Sequence, residues 1–173
     1  MTTIITDGKT IAADSLSLMG SEPVAYLNRR KLLVRNRKVY AMSGVAGMRE
    51  ALAAWIDAGA DPKEAPPTQT DNGGWGLIVA SPGEVIYVTN TCLYPGLMKP
   101  PFSIGSGQAY ALGALAAGAS PRAAIAIAAQ FDVNSGGEIQ VIDLETLVET
   151  IYAPDGVGVI SQKPQALLME AAE

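Results

Sequence analysis

The first fourteen residues place the strongest constraint on the fold. Two short β-branched runs, Thr2 to Thr6 and Lys9 to Asp14, are separated only by Asp7-Gly8. A two-residue Asp-Gly connection is a strong hairpin signal, because these residues tolerate the positive φ angles that tight hairpin turns require. The sequence therefore predicts that the chain opens with a β-hairpin and that its first strand lies in a sheet.

Apolar periodicity and turn residues predict the remaining elements. Residues 48–58 carry apolar side chains at helical spacing, and Gly59 is placed to end that helix. Ser120-Pro121 supplies an N-cap and a first-turn proline for a helix that runs to about residue 131. The other predicted strands are residues 24–34, 38–43, 75–80, 84–89, 139–144 and 147–153, and the other predicted helices are an alanine-rich segment ending near 118 and residues 164–172. Residues 60–74 are predicted to form a surface loop.

The order of these elements indicates the fold class. The strands are mostly antiparallel and the helices fall into two separate groups, which favours two stacked sheets with helices on both outer faces. We therefore predict an α+β protein with a four-layer αββα sandwich. With 173 residues, of which 49% are apolar, the chain is expected to form a single domain, residues 1–173, around a sizeable core.

Composition and charge limit the partners and the compartment. The net charge of −5 and the lack of a basic stripe argue against a nucleic-acid partner. Cys92 is the only cysteine, so no intrachain disulfide can form and a reducing compartment fits best. The start lacks the features of a signal peptide, and no segment reaches the roughly 18 uninterrupted apolar residues of a membrane span. We therefore expect a cytoplasmic protein with no membrane partner.

The chain contains no histidine, and this removes several reaction classes. A Ser-His-Asp triad, a Cys-His dyad and a histidine-ligated zinc site all require an imidazole. A hydrolase built from this chain must instead take its base from a lysine, a carboxylate or an α-amine. Neither a metal nor a cofactor is expected.

Thr2 offers a route to hydrolysis that needs no imidazole. The hydroxyl of an N-terminal threonine attacks while its free α-amine, with an ordinary pKa of about 7.7 to 8.0, accepts the proton. The prerequisite is removal of Met1, which normally happens when the next residue is as small as threonine. On its own, a Met-Thr start is weak evidence for a catalytic threonine, and an ordinary trimmed terminus is the alternative interpretation.

Six short segments carry a more specific signal. In chain order they are Thr2-Thr3-Ile4, Ile11-Ala12-Ala13-Asp14-Ser15, Lys31, Ser43-Gly44-Val45-Ala46-Gly47, Ile104-Gly105-Ser106-Gly107 and Asp132-Val133-Asn134-Ser135-Gly136-Gly137. Together, over residues 2 to about 144, they resemble the proteasome β-subunit family, including the two-ring bacterial peptidases of the HslV type. The resemblance implies the N-terminal-nucleophile hydrolase form of the sandwich, with Thr2 as the nucleophile.

The resemblance also implies roles for three residues near Thr2. Asp14 would hold Lys31 charged beside Thr2, where its positive field lowers the proton affinity of the hydroxyl and the α-amine. Gly44 would present its backbone N–H to the oxyanion of the tetrahedral intermediate. Without the resemblance, Lys31 is one more exposed cation in Arg29-Arg30-Lys31, and Gly44 is a turn glycine.

Five further residues complete the implied site. Ser106, Asp132 and Ser135 would form a polar network that orients the α-amine and relays protons. Their alternative interpretation is as helix and turn caps. Met42 would lie near the floor of the primary specificity pocket and Ala46 near its wall, which implies acceptance of apolar side chains.

The function implied by the resemblance is a threonine-type endopeptidase acting on polypeptide substrates inside a closed homo-oligomeric ring. An ATP-dependent unfoldase is the partner implied by analogy. Arg29, at the rim of the primary specificity pocket, would favour acidic side chains in place of apolar ones. Two alternatives stay open, an inactive proteasome-like assembly protein and an N-terminal-nucleophile amidase that acts on a small molecule. One departure is a shorter stretch between Gly44 and Ser106 than in the family, with the loop at 60–74 where the family has a second helix.

Overall fold

Short β-branched and apolar runs separated by tight turns form most of the strands. A computed structural model describes residues 2–19, 22–23, 29–44, 48–60, 74–90 and 92–164. In chain order the elements are β1 (Thr3–Thr6), β2 (Thr10–Ala13), β3 (Leu18–Met19), β4 (Glu22–Pro23), β5 (Leu32–Arg35), β6 (Lys38–Ser43), α1 (Arg49–Asp57), β7 (Gly76–Ser81), β8 (Glu84–Thr89), β9 (Cys92–Met98), β10 (Phe102–Gly105), α2 (Gln108–Ala116), α3 (Pro121–Phe131), β11 (Ile139–Asp143), β12 (Val148–Tyr152) and β13 (Val159–Pro164). No helix in these residues is long and apolar enough to cross a membrane.

The first sheet contains the predicted N-terminal hairpin. Over the described ranges its strand order is β10-β1-β2-β11-β12-β13. Asp7 closes the β1–β2 turn by accepting hydrogen bonds from the backbone N–H groups of Lys9 and Thr10, at 2.8 and 2.7 Å. β1 pairs with β2 on one side and with β10 on the other. The start of the chain therefore lies in the interior of a sheet, as predicted.

The second sheet is an antiparallel meander in the order β5-β6-β7-β8-β9. Asn36 and Arg37 form the β5–β6 turn with positive φ angles of 48° and 57°. Gly83 takes φ +74° in the next turn, where a glycine favours that conformation. Pro95 lies in β9, at the edge of the sheet, where a strand tolerates a residue that cannot donate a backbone hydrogen bond.

Three apolar clusters separate four layers of structure. Ile4 on β1 packs between the two sheets, and the next residue, Ile5, packs on the opposite face beneath α2 and α3, because successive strand residues point to opposite faces. Leu52 on α1 packs against the outer face of the second sheet. The structure is thus α+β with helices outside both sheets, and the predicted αββα sandwich is confirmed.

Several element boundaries differ from the predictions. The strand predicted over 24–34 begins at Leu32, and residues 24–28 lie outside the described part of the chain. Strands β3, β4, β9, β10 and β13 were not predicted. Pro164 ends β13 instead of starting a helix, and the rest of the predicted helix at 164–172 lies outside the described residues. The loop predicted at 60–74 also falls almost wholly outside them.

The strand pairing brings several chain segments to one end of the sandwich. Thr3, at the start of β1, pairs with Gly105 at the end of β10. Ala13, at the end of β2, pairs with Gln140 on β11. β6 of the second sheet lies against β1 across the core and ends at Ser43. Residues 2, 14, 44 and 106 consequently follow or precede strands at the same end.

Candidate active site

Asp14 directly follows β2 and gathers four hydrogen bonds on a buried carboxylate. Its Oδ1 accepts from the backbone N–H of Thr3 at 2.9 Å and from Lys31 Nζ at 2.7 Å. Its Oδ2 accepts from the backbone N–H groups of Leu16 at 3.2 Å and Gly136 at 3.0 Å. With donors on both oxygens, the carboxylate is fixed in one orientation between the start of β1 and the residue before β5.

Lys31 is buried, unlike its two predecessors in the chain. Arg29 and Arg30 are exposed, whereas the Lys31 side chain is 9% exposed and forms an ion pair with Asp14. Burial lowers the pKa of Lys31, and the carboxylates of Asp14 and then Asp132 oppose that shift. The interpretation of Lys31 as an exposed cation is therefore wrong, and the side chain lies inside the molecule near the start of the chain.

Thr2 is buried against the end of β10. Gly105 has a φ angle of +100°, and a Cβ at that position would lie 1.8 Å from the Thr2 carbonyl oxygen. Only glycine fits there, because both the backbone conformation and the available space exclude a side chain. The Ser106 hydroxyl lies 3.5 Å from the same carbonyl oxygen. Thr2 is 2% exposed and is thus enclosed by residues 105 and 106.

Asp132, the residue after α3, is the centre of a second polar group. Its Oδ2 accepts hydrogen bonds from the hydroxyls of Ser106 at 2.7 Å and Ser135 at 2.6 Å. Asn134 donates its backbone N–H and side-chain amide to Oδ1. Burial alone would raise the pKa of Asp132, but the hydrogen bonds from Ser135, Ser106 and Asn134 outweigh it, so the pKa is lowered from its usual 3.8. The three residues predicted to form a network do so.

Thr3 joins the two polar groups. Its backbone N–H binds Asp14, while its hydroxyl lies 2.5 Å from the Ser135 hydroxyl. Because Ser135 donates its only hydroxyl proton to Asp132, Thr3 is the donor in its contact with Ser135. The residue directly after Thr2 is therefore held through both backbone and side chain, and the position of Thr2 relative to Lys31 follows from that anchoring.

A cavity of about 320 Å³ opens beside these groups. Its lining includes Gly105, which contacts Thr2, and Ser43, which precedes Gly44. Tyr87 and Trp75 also line it, and burial raises the pKa of the Tyr87 hydroxyl. The cavity gives a small molecule or an extended chain access to this end of the sandwich. No cluster of three potential metal ligands occurs among the described residues.

Solved structures share this architecture. HslV from Trypanosoma brucei is 21% identical, with 82% of this chain and 98% of that chain covered at a TM-score of 0.60. BPH from Thiobacillus denitrificans in complex with epoxomicin is 21% identical, with coverage of 83% and 98% and a TM-score of 0.56. A mutant of Anbu from Hyphomicrobium sp. strain MC1 is 15% identical, with coverage of 94% and 87% and a TM-score of 0.56. The chain has the fold of HslV and Anbu. No protein-family model and no curated protein matches it.

Within this HslV-like fold the remaining predicted site residues have mixed placements. Gly44 is exposed at the end of β6, with φ +131°, and a Cβ placed on it would lie 2.7 Å from the Trp75 Cβ. Met42 is buried between the second sheet and α1, next to Met48. Arg29 is exposed, and Ala46 lies outside the described residues. The roles of these residues in substrate binding stay predictions.

Two contributors to the polar site around Thr2 were not predicted from the sequence. Thr3 was placed in the first strand and in the Thr2-Thr3-Ile4 segment but was given no role of its own, although a second threonine directly after Thr2 also offers a hydroxyl. Gly107 lies against the polar network, where a Cβ would come within 2.1 Å of the Thr3 hydroxyl and 3.2 Å of the Ser135 hydroxyl. In the sequence it was visible only as the second glycine of Gly105-Ser106-Gly107. The close approach of the Thr3 and Ser135 hydroxyls is the reason that this position needs the smallest residue.

Proposed function

We propose that this chain is a threonine-type endopeptidase related to the proteasome β subunits, with Thr2 as nucleophile once the Met1–Thr2 bond has been cleaved. The observation that carries the proposal is the shared Asp14 Oδ1 atom, which binds both the Thr3 backbone and the Lys31 ammonium. A buried lysine held this close to the start of β1 supports its proposed role in the activation of Thr2.

The proposed chemistry uses one residue as nucleophile and base. The Thr2 hydroxyl attacks the scissile carbonyl and its proton passes to the free α-amine. Collapse of the tetrahedral intermediate breaks the peptide bond, and the proton goes to the leaving amine. Water then attacks the Thr2 ester, the α-amine accepts its proton, and the carboxylic acid product leaves with the hydroxyl restored. No cofactor takes part in this proposed cycle.

Lys31 and Gly44 would stabilise the charges that develop during this cycle. The Lys31 ammonium, paired with Asp14, lowers the proton affinity of the neighbouring hydroxyl and amine. The Gly44 backbone N–H faces the oxyanion in the proposed complex, and the loss of such a donor typically costs about 2.7 to 4 kcal/mol of transition-state stabilisation. Its position at the end of β6, the strand that packs against β1, supports this role.

The polar group around Asp132 would orient the first residue. Ser106 contacts the Thr2 carbonyl oxygen and Asp132, while Ser135 holds Thr3. These contacts involve the Thr2 carbonyl and the Thr3 side chain, and we propose that they help to direct the freed α-amine. A base whose direction is fixed accepts a proton without first losing conformational freedom.

Polypeptides are the proposed substrates, and the cavity beside Gly105 and Ser43 is a route by which they reach Thr2. Met42 and Ala46 are proposed to line the primary specificity pocket and to accept apolar side chains. Arg29 at the rim would admit acidic ones.

We further propose that the chain works as a homo-oligomeric ring in the cytoplasm, with an ATP-dependent unfoldase as partner. The exposed apolar surface of α2 and α3 supports oligomerisation. Tyr110 and Phe131 on that surface are 46% and 63% exposed, and their rings stack at 5.6 Å. Apolar area of this kind is usually covered by another protein surface. A second copy of this chain is the proposed cover.

Hydrolysis of fluorogenic peptides tests the proposed activity. Purified wild-type protein should cleave at least one peptide with an apolar residue before the reporter group. Thr2→Ala and Lys31→Ala should each reduce kcat by at least roughly a thousandfold, as loss of a nucleophile or its activator does in other hydrolases. Lys38→Ala is the matched control, because Lys38 is exposed, and it should retain activity. Equal rates for Thr2→Ala and wild type would reject the peptidase proposal.

A further inference from the structure

Gln140 is a buried polar residue in the apolar space between the two sheets. It lies on β11 with 2% exposure, and its side chain reaches the chain at the start of β5. Its Oε1 accepts from the backbone N–H groups of Lys31 at 3.0 Å and Leu32 at 2.9 Å. Its Nε2 donates to the Leu32 carbonyl at 3.2 Å and to Glu149 Oε1 at 2.6 Å. All four hydrogen-bonding positions of the amide are therefore used.

These contacts hold the backbone of Lys31, while a neighbouring strand holds its ammonium. Gln140 pairs in register with Ala13 on β2, and the next residue, Asp14, binds Lys31 Nζ. Two adjacent strands of the first sheet thus fix both ends of one side chain from the second sheet. A long lysine side chain has several freely rotating bonds, so its Nζ position is defined only when both ends are fixed.

Glu149 and the backbone of Lys31 and Leu32 together determine which way the Gln140 amide points. Its carboxylate is 2% exposed and can only accept hydrogen bonds, so the amide nitrogen must face it and Oε1 must face the Lys31 and Leu32 N–H groups. Arg30 and Lys163 lie 3.9 and 4.0 Å from the same carboxylate. Glu149 is thus paired with two cations.

We propose that Gln140, oriented by Glu149, is a positioning residue that sets where the Lys31 ammonium lies relative to Thr2. Its contribution to catalysis rests on the function proposed above. The effect of Gln140 on the position of the Lys31 side chain, which is the geometric part of the proposal, does not depend on that function. The proposal therefore has a readout that is independent of peptidase activity.

Amine modification tests the geometric part. Trace acetylation followed by peptide mass spectrometry gives the reactivity of Lys31 relative to the exposed Lys38. In Gln140→Leu the relative reactivity of Lys31 should rise about tenfold, because an ammonium that is no longer held in its buried ion pair with Asp14 becomes accessible to the reagent. Gln162→Leu is the matched control: Gln162, on the neighbouring β13, binds Thr150 and does not contact Lys31, so its loss should leave Lys31 reactivity unchanged. An unchanged Lys31 reactivity in folded Gln140→Leu would overturn the proposal.

Two further variants keep the test decisive if Gln140→Leu does not fold. Glu149→Gln preserves side-chain volume but replaces the carboxylate acceptor of the Gln140 amide with a neutral amide, and it should raise Lys31 reactivity by a smaller factor. The double variant that combines Gln140→Glu with Glu149→Gln keeps an acceptor toward the Lys31 and Leu32 N–H groups. Its Lys31 reactivity should return toward the wild-type value. Failure of the double variant to improve on Gln140→Glu alone would contradict the proposed positioning.

Peptide hydrolysis measured on the same proteins separates this inference from the proposed function. If both hold, Gln140→Leu should lower kcat about tenfold to a hundredfold with little change in KM, since a displacement of about 1 Å in a catalytic group has that effect. A rise in Lys31 reactivity in a protein without peptidase activity would support the positioning role and reject the peptidase. Full activity in Gln140→Leu with unchanged Lys31 reactivity would reject the positioning role and support the peptidase.

Discussion

The ion pair between Lys31 and Asp14 is buried, and buried pairs behave differently from surface pairs. Taking both charges out of water costs several kcal/mol per ion, and that cost is recovered only when the geometry is good and the other lone pairs are satisfied. Asp14 meets this condition, because three backbone N–H groups complete its shell around the Lys31 contact. Removal of either partner would leave a buried charge without compensation.

Replacement of Asp14 should therefore destabilise the protein strongly. We expect Asp14→Ala to lower the free energy of unfolding by about 3 to 5 kcal/mol, the usual cost of breaking a buried pair. Urea denaturation measures this quantity. Asp155→Ala is the control, because Asp155 is exposed, and its substitution should change stability by less than about 1 kcal/mol. Equal effects of the two substitutions would contradict the buried-pair interpretation.

The lowered pKa of Asp132 predicts a pH dependence of stability. A carboxyl group whose pKa is lower in the folded than in the unfolded chain stabilises the fold above its ordinary value, here 3.8, and that contribution is lost as pH falls through the folded pKa. The stability difference between wild type and Asp132→Asn should be constant near neutral pH and should shrink below pH 3.8. Urea denaturation at several pH values measures it. A difference that stays constant down to the acid end would contradict the shift.

Individual site residues were predictable to different degrees. Lys31 was identified through the resemblance of six segments, whereas its local sequence, Arg29-Arg30-Lys31, favours an exposed cation. Burial depends on the opposite sheet, which local sequence does not describe. Thr3 and Gln140 were missed for the same reason, since their functional contacts lie more than 100 residues away in sequence.

At the scale of elements, the start of α2 is fitted tightly around the polar network. Gly107 precedes α2 with an ordinary φ of −89°, so its backbone accepts any residue, but a Cβ would come within 2.1 Å of the Thr3 hydroxyl. Gly113 lies in the interior of the same helix, and nothing lies within 4 Å of a Cβ placed there. The same substitution should therefore have opposite effects at the two positions.

Gly107→Ala should destabilise the protein by about 1 to 3 kcal/mol, as overpacking generally does. Gly113→Ala should stabilise it by roughly 0.5 to 1 kcal/mol, because alanine loses less conformational freedom than glycine in a helix. Thermal and urea denaturation of the two variants provide the comparison. Destabilisation of similar size at both positions would show that helix α2 itself, and not the polar network, limits substitution at Gly107.

Local turn and capping signals predicted elements well, and long-range pairing did not follow from them. The β1–β2 hairpin and the α3 cap at Ser120, which accepts from the Ala123 backbone N–H, were predicted because a few adjacent residues determine them. Within the predicted strand over 24–34, the described residues 29–31 are not part of β5, and the Lys31 N–H group binds the distant Gln140 side chain. β13 was missed because its exposed, largely polar face lacks a core-facing pattern.

At the scale of the whole molecule, the outer surface of α2 and α3 is unusually apolar. A cleft between the two helices is lined by Tyr110, Phe131 and small residues. These helices carry few charged residues, and the isolated chain leaves their outer face exposed. Coverage by a second copy would remove this apolar surface from water.

Phe131→Glu should therefore reduce the assembly of the protein. A buried carboxylate at a contact between copies has a high desolvation cost, so smaller species should accumulate. Light scattering after size-exclusion chromatography measures the mass directly. Val157→Glu is the control, as Val157 is exposed at 74% and lies outside α2 and α3. An unchanged mass for Phe131→Glu would contradict assembly through this face.

The central claim is that Thr2, with a free α-amine and Lys31 nearby, is the nucleophile. Its most direct test is intact-mass measurement followed by peptide mapping after incubation with epoxomicin, the compound present in the Thiobacillus denitrificans BPH structure. If Thr2 is the nucleophile, the protein should have lost Met1 and should gain one adduct, located on Thr2 and absent from Thr2→Ala. A protein that keeps Met1, or equal labelling of Thr2→Ala, would contradict it.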